Sequence, residues 1–394
     1  MPTTEYLSNR LVGVLAFALA VVTANAYYIH PIIGRVATSL DVSVGMIGLI
    51  PALNQIALAL GVLLLLPLGD RVNNRKLVAL CLSVQVIMLV VMAMASSFWL
   101  FAGASTLLGF FTITPYLLPA YASKRVEPNR LGFVTAMLAT GVIAGIQVSR
   151  LLSGVLAEWL SWHAVYWLAV VLMAVSAVAL PLVMRAAQHK ETPSTLSYPK
   201  LFISQFGLLA TAPSVLVSGL IQGINFGIFL LVWLGISLHL TSDALGHGTD
   251  LVGYLTAFSA IGLLTTARLG KLADTLGPER ARFYMAVIQL AGIACYSLAD
   301  THWQWLLLPV AITSMVGPMI DVTGRMTSLK QPPETRSRIM SGYVAIMFLG
   351  GGVGSWAGTA IYGAYGWSGT VLLAFGASCC VTSLSYWQYR QARR

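Results

Sequence analysis

The sequence predicts an all-α membrane protein of twelve spanning helices, arranged as two pseudo-symmetric six-helix bundles. Three observations lead there. Of 394 residues, 57% are hydrophobic and only 9% are charged, against roughly a quarter charged in a soluble domain. Apolar windows of about 20 residues, the length a helix needs to cross a bilayer core, recur along nearly the whole chain. Landmarks also repeat: Asp70 and Asp274 lie 204 apart, as do Gly154 and Gly358, while Asn25 and Asn225 lie 200 apart and Trp162 and Trp367 lie 205 apart. The apolar runs are continuous, whereas the strands of a lipid-facing barrel alternate.

In order, the predicted spans are Leu11 to Ile29, Val44 to Leu66, Leu77 to Ala95, Leu100 to Tyr121, Leu131 to Leu156, Ala164 to Met184, Ser214 to Leu238, Leu251 to Ala267, Phe283 to Leu298, Trp305 to Thr323, Ser341 to Tyr362 and Ser368 to Tyr389. The first ends in "TANAYY", where Ala24 and Ala26 mimic a signal-peptidase site. Its apolar stretch is longer than a signal core and its loss would leave an odd number of spans, so it is read as retained. The polar tract Arg185 to Lys200, "RAAQHKETPSTLSYPK", is the only long break. It divides a first bundle (1–184) from a second (213–394), with 185–212 as a cytoplasmic linker whose end, "LFISQFGLLATAP", can lie at the interface as a short amphipathic piece. Six spans per unit is an even number, so both units enter from the same side, as parallel repeats about an axis along the membrane normal.

Orientation follows from the basic residues. With a cytoplasmic N-terminus, every Lys and Arg except Arg35, in an outer loop, and Arg150, inside a span, falls on the cytosolic side. That bias predicts cytoplasmic N- and C-termini in the cell (inner) membrane. It also accounts for the net charge of +10 without nucleic acid as a partner. Outer connections hold Asp41, Glu158, Asp243, Asp250 and Asp300, with Trp99, Trp159, Trp162, Trp303, Trp305 and Trp367 near that boundary. The partners expected are a small solute, the lipid bilayer and protons, and the chain is expected to act as a monomer.

Catalysis is not expected. His30, His163, His239, His247 and His302 scatter over outer segments, no acids converge with them, and no glycine loop suits a phosphate. Cys81, Cys295, Cys379 and Cys380 fall inside spans as small apolar side chains, without metal-ligand spacing. No metal or cofactor is therefore predicted. A channel is disfavoured by the lack of charged rings or a filter-like segment.

Two polar turns remain: "PLGDRVNNRKL" after the second span and "GKLADTLGPERAR" after the eighth. Together with six plus six spans and a basic central connector, they resemble the major facilitator superfamily, whose signature there is a glycine, an acid, a base, another glycine and further bases. Gly270, Asp274 and Gly277 with Lys271 and Arg280 match it well, while in the first half Leu66 and Asn73 replace the two glycines. Asn is the residue after glycine that best tolerates a left-handed backbone. Within the superfamily the chain is most similar to the drug:proton antiporter-like efflux branch, with "YYIHPIIGRVATSLDVS" and "LPAYASKRVEP" in familiar places.

The resemblance implies a secondary active transporter working by alternating access, exporting a small, partly apolar solute in exchange for protons. Proton-linked uptake of a metabolite is the alternative. It implies a latch: Asp70, with Arg71 and Arg75 beside it, docks on the helix start near Thr335 to Ser341. Asp274, beside Gly270, docks near Asn129 to Leu131. Each contact favours a shut cytoplasmic side, because a helix start carries partial positive charge and unpaired amides. Cavity-lining spans one, four, seven and ten place Asn25, Tyr27, Tyr28, Tyr116, Gln222, Asn225 and Phe226 toward the solute, with Gln55 and Gln147 from spans two and five; hydrogen bonding between helices is the competing reading for each. Such an aromatic, amide-rich lining suits amphipathic or weakly anionic solutes.

Arg150, about 7 Å inside the outer end of its span, can bind an anionic group, pair with an outer acid or snorkel. Asp321, with Arg325 at i+4, is the acid well inside a span and hence the candidate for proton coupling, or else an interfacial ion pair. Ile146 after Gly145 and Ser105 in the fourth span replace a proline and an arginine common in the efflux branch. The small-residue stripes Gly141, Gly145, Ser149, Ser153 and Gly350, Gly354, Gly358 allow either static packing or sliding.

Overall fold

The computed structural model describes residues 7–123, 125–184, 202, 205, 207 and 209–393. The Arg185 to Lys200 connector and the side chain of Asp70 lie outside the described residues. The helices are α1 (Asn9–Ser39), α2 (Val44–Gly69), α3 (Asn74–Ala93), α4 (Phe98–Ser123), α5 (Leu131–Trp159), α6 (Trp162–Val183), α7 (Pro213–Leu240), α9 (Pro278–Leu298) and α10 (Trp303–Ser328). Between α7 and α9, α8 runs in two pieces, Thr249–Ser259 and Ile261–Leu276. The last helical stretch, Pro333–Gln391, is two spans, α11 (333–365) and α12 (367–391). They meet at Gly366, whose φ of 62° and ψ of −153° are open essentially to glycine alone.

Local chemistry sets several boundaries. Ser8, Ser43, Ser97 and Ser161 each accept a hydrogen bond from the backbone N–H three residues on, capping α1, α2, α4 and α6. α1 is broken by a turn over residues 25–28 and resumes at Ile29. This corrects the sequence reading, which ends the first span at Ile29 and puts Arg35 in a loop. Pro31 falls in the first turn of the resumed helix, where an N–H has no partner to lose, so the helix continues to Ser39. Arg282, expected to face the cytosol, lies on α9 and is fully buried.

Within the first half, α1 packs on α5 and α6, α2 on α4, and α3 on α4 and α6; in the second, α7 packs on α11, and α9 on α10 and α12. The glycine stripes belong to these contacts. A Cβ on Gly141 or Gly145 would strike the backbone of Ala16 or Ala20, and one on Gly350 or Gly354 that of Gly223 or Gly227. The stripes are thus close-packing surfaces inside each half, α5 on α1 and α11 on α7, and not a sliding surface between halves.

A buried amide pair repeats the symmetry. Asn25 Nδ2 donates to Gln85 Oε1 at 3.4 Å, linking α1 to α3. Gln289 Nε2 donates to Asn225 Oδ1 at 2.9 Å, linking α9 to α7. Gln85 and Gln289 are 204 positions apart.

Helix directions gather Arg71, Arg75, Arg268, Lys271 and Arg280 at one end of the molecule, the basic rim. Trp99, Trp159 and Trp305 are exposed at the opposite end, the tryptophan rim.

Candidate functional site

The halves meet through α1 with α7, α2 with α11 and α5 with α8. At the tryptophan rim the contact is tight. Gly154 leaves no space for a Cβ, which would lie 2.5 Å from the Thr249 carbonyl, and Ser237 Oγ donates to the Pro31 carbonyl at 2.8 Å. Glu158, near the end of α5, pairs with Arg35 and accepts hydrogen bonds from Thr249 N at 2.8 Å and Thr249 Oγ1 at 3.2 Å. Thr249 opens α8, so the carboxylate sits on unpaired amides at a helix start.

Toward the basic rim the same two helices part. The first piece of α8 packs on α5, whereas the second packs on α9 and α10. Gln147 on α5 marks the division: its Nε2 donates to Ser259 Oγ at 3.0 Å, at the last residue before the break in α8. Beyond it, Asp274, Leu131 and Gly132 are exposed. Arg71 and Arg75 are exposed too, and Gly270 has open space at its Cβ position. α2 and α11 stay together, Leu58, Val62 and Leu63 clustering with Ile339, Tyr343 and Phe348; Leu209 joins them, and Gln205 Nε2 donates to the Leu63 carbonyl at 3.2 Å.

Between seal and opening lies a junction built by both halves. Arg150 on α5 is 1% exposed. Its Cζ is 5.3 Å from the ring centre of Tyr27 on α1, 4.7 Å from that of Phe229 and 4.8 Å from that of Trp233, both on α7. Its Nη2 lies 2.7 Å from His30 Nδ1. Since arginine only donates, that imidazole nitrogen accepts and the hydrogen sits on Nε2. Arg150 Nε and Nη1 and His30 Nε2 have no hydrogen-bond partner among the described residues.

Nine residues of α5 follow Arg150, about 13 Å of helix at 1.5 Å per residue. That is deeper than the sequence places it, so the side chain neither snorkels nor reaches the outer acid, which belongs to Arg35. The three rings supply at most about 2 kcal/mol each. Burying a cation costs several kcal/mol and each unpaired N–H about 1–3 more. The junction is short of an acceptor.

Aromatic contacts continue toward the basic rim. Phe226 stacks on Phe229 at 5.8 Å and meets Phe348 of α11 edge-on at 5.7 Å; Phe348 in turn meets Tyr116 of α4 at 5.9 Å. Beyond them, Asp321 Oδ2 accepts from Arg325 Nε at 2.9 Å and Oδ1 from the Tyr343 hydroxyl at 3.0 Å. The side chains of Asp321 and Arg325, both on α10, are 25% and 35% exposed.

The sequence-predicted residues therefore separate. Arg150, Phe226 and Tyr116 come together at the junction; Gln147 bridges its edge. Asn25, Asn225 and Gln222 do not join them. Asn25 bonds Gln85, and Asn225 bonds Gln222, Gln289 and the Gly317 carbonyl, so these amides serve contacts within one bundle. Tyr28 is buried in the first-half core, and Gln55 is fully buried with neither amide atom bonded. Sequence reasoning named Tyr27 as a cavity candidate without linking it to Arg150, and missed His30, Phe229, Trp233 and Phe348. Phe226, Phe229 and Trp233, spaced three and four apart on one helical face, were the one legible sign of the Arg150 box.

Comparisons with known proteins agree with this architecture. The chain is 25% identical over 382 residues to "Uncharacterized transporter YgaY" of Escherichia coli O157:H7, covering 97% of this chain and 95% of that protein. It is 25% identical over 331 residues to "Multidrug resistance protein MdtG" of Serratia proteamaculans, covering 80% and 75%. Its fold is similar, with a TM-score of 0.75 at 14% identity over 99% of this chain and 98% of the other, to a bacterial homolog of the human lysosomal transporter Spinster. The profile of the Major Facilitator Superfamily matches residues 15–299 and 217–393, and the chain belongs to that superfamily of membrane transporters.

Proposed function

We propose that this transporter exports a small, partly apolar organic solute in exchange for protons, loading it from a cytosolic basic rim and releasing it at the tryptophan rim. One observation carries the reading: both halves build an aromatic junction that is sealed on the tryptophan side, while α5 and α8 diverge on the other. A site built by both halves, sealed on the tryptophan side and with α5 and α8 parting on the other while α2 and α11 stay packed there, supports alternating access in a state partly opened toward the basic rim. The basic rim is cytosolic on the positive-inside rule. Asp321 is the coupling group in this reading: a partly exposed carboxylate inside a span, held by Arg325 and Tyr343, can exchange a proton when that pairing loosens. The similarity to a multidrug resistance protein supports export.

Flux in inside-out vesicles tests this. A thermal-shift screen of metabolites and antibiotics supplies the solute, since a ligand of the native state raises apparent stability. Acidifying the vesicle interior should drive that solute inward, the export direction, and Asp321→Asn should remove the dependence on the pH gradient. Loss of preloaded solute to the external medium under the same acid-inside gradient would replace export with proton-linked import.

A further inference from the structure

We propose that the Arg150–His30 pair is the recognition site for an organic monoanion, a carboxylate carried on a flat apolar body, which it holds within the ring box of Tyr27, Phe229 and Trp233. This rests on the transport reading only for the solute's path; the site itself is argued from its own geometry.

Arg150 is buried, and among the described residues the one hydrogen-bond partner of its guanidinium, His30, uses its acceptor nitrogen in that contact. What remains is Nε–H and the Nη1 hydrogens of Arg150 and Nε2–H of His30. All are donors. The described acids are engaged elsewhere or lie at the rims: Glu158 holds Arg35 and Thr249, and Asp321 holds Arg325. A ligand with acceptor oxygens and one negative charge would satisfy these donors and neutralise the buried guanidinium.

The surroundings narrow it further. Three aromatic rings from two halves crowd the guanidinium, and the nearby Phe226 and Phe348 continue the same surface toward Tyr116. A planar apolar body can stack there. A dianion would leave a second charge without a cation in an apolar box, so a carboxylate fits better than a phosphate ester.

Equilibrium binding to the full-length protein in nanodiscs tests the site, using benzoate and 2-naphthoate as probes against the near-isosteric neutral benzamide and the cation benzylamine. Wild type is expected to bind the two carboxylates about tenfold or more tightly than benzamide, with benzylamine weakest. Arg150→Gln should abolish the preference, and His30→Phe should weaken carboxylate binding several-fold without reversing it. The wild-type series needs no variant to fold. Equal binding of benzoate and benzamide, absence of carboxylate binding, or a preference that survives Arg150→Gln overturns the proposal. Carboxylate binding without vesicle flux of any solute would refute the transport reading alone. Flux of a neutral solute that is unchanged by Arg150→Gln would refute the anion site alone.

Discussion

At the tryptophan rim, α5 and α8 are locked by Glu158 lying on the first amide of α8, by Arg35 holding that carboxylate, and by Gly154 admitting the opposing backbone. At the basic rim the same helices separate, and Asp274 of α8 and the first turn of α5 are exposed. The two rims hold the same ingredients, an acid on one helix and the start of the other, in opposite states. An acid docks on a helix start because unpaired amides and the helix dipole both favour negative charge there. Among the described residues, the dock at the tryptophan rim is engaged while Asp274 at the basic rim is exposed.

The largest effect is expected from Gly154→Val. Its side chain must displace the Thr249 backbone, and overpacking of this kind costs about 1–3 kcal/mol in the sealed state alone. Thiol labelling of a cysteine placed on the α7 side of the seal, such as Ser237→Cys, should rise by roughly a hundredfold at the upper end of that range. Unchanged labelling would show that the seal does not depend on this approach.

Next comes Glu158→Gln. The ion pair with Arg35 is partly exposed and worth about 1 kcal/mol at most. The hydrogen bond from Thr249 to a charged acceptor adds about 1.5–3. A shift of roughly thirtyfold toward the outward-open population is expected by the same labelling, and Glu158→Asp should restore part of it.

Ser259→Ala removes one partner of Gln147 at the break in α8. About 1 kcal/mol is at stake, a factor of about five in the same equilibrium. The smallest effect on stability belongs to Asp274→Asn, because an exposed side chain contributes within about 0.5 kcal/mol. If Asp274 docks on α5 when the basic rim closes, flux should nonetheless fall several-fold while the melting temperature stays put. Unchanged flux would leave the basic rim without this latch.

Much of this was legible in the sequence because bilayer physics writes it in composition. Continuous apolar runs, the 204-residue offset and the basic turns gave the spans and the doubling. The Asn25 and Asn225 repeat was legible as symmetry but misleading as location: what matters is which partner an amide finds, and Gln85 and Gln289 stand 60 and 64 residues away. Arg35 was misplaced because the apolar run was ended at Ile29, whereas the helix resumes there with Pro31 in its first turn and continues to Ser39. The Arg150 box could not be assembled, since His30 and Trp233 are 120 and 83 residues from Arg150 and only the approach of α1, α5 and α7 unites them.

The central claim is that the two rims open in opposition. Double electron–electron resonance in nanodiscs, on a background lacking Cys81, Cys295, Cys379 and Cys380, can follow a basic-rim spin-label pair at Gly132 and Lys271 and a tryptophan-rim pair at Leu160 and Asp243. The account predicts that Glu158→Gln lengthens the tryptophan-rim distance and shortens the basic-rim distance in the same molecules. Distances that lengthen together, or a basic rim that does not respond, would contradict it.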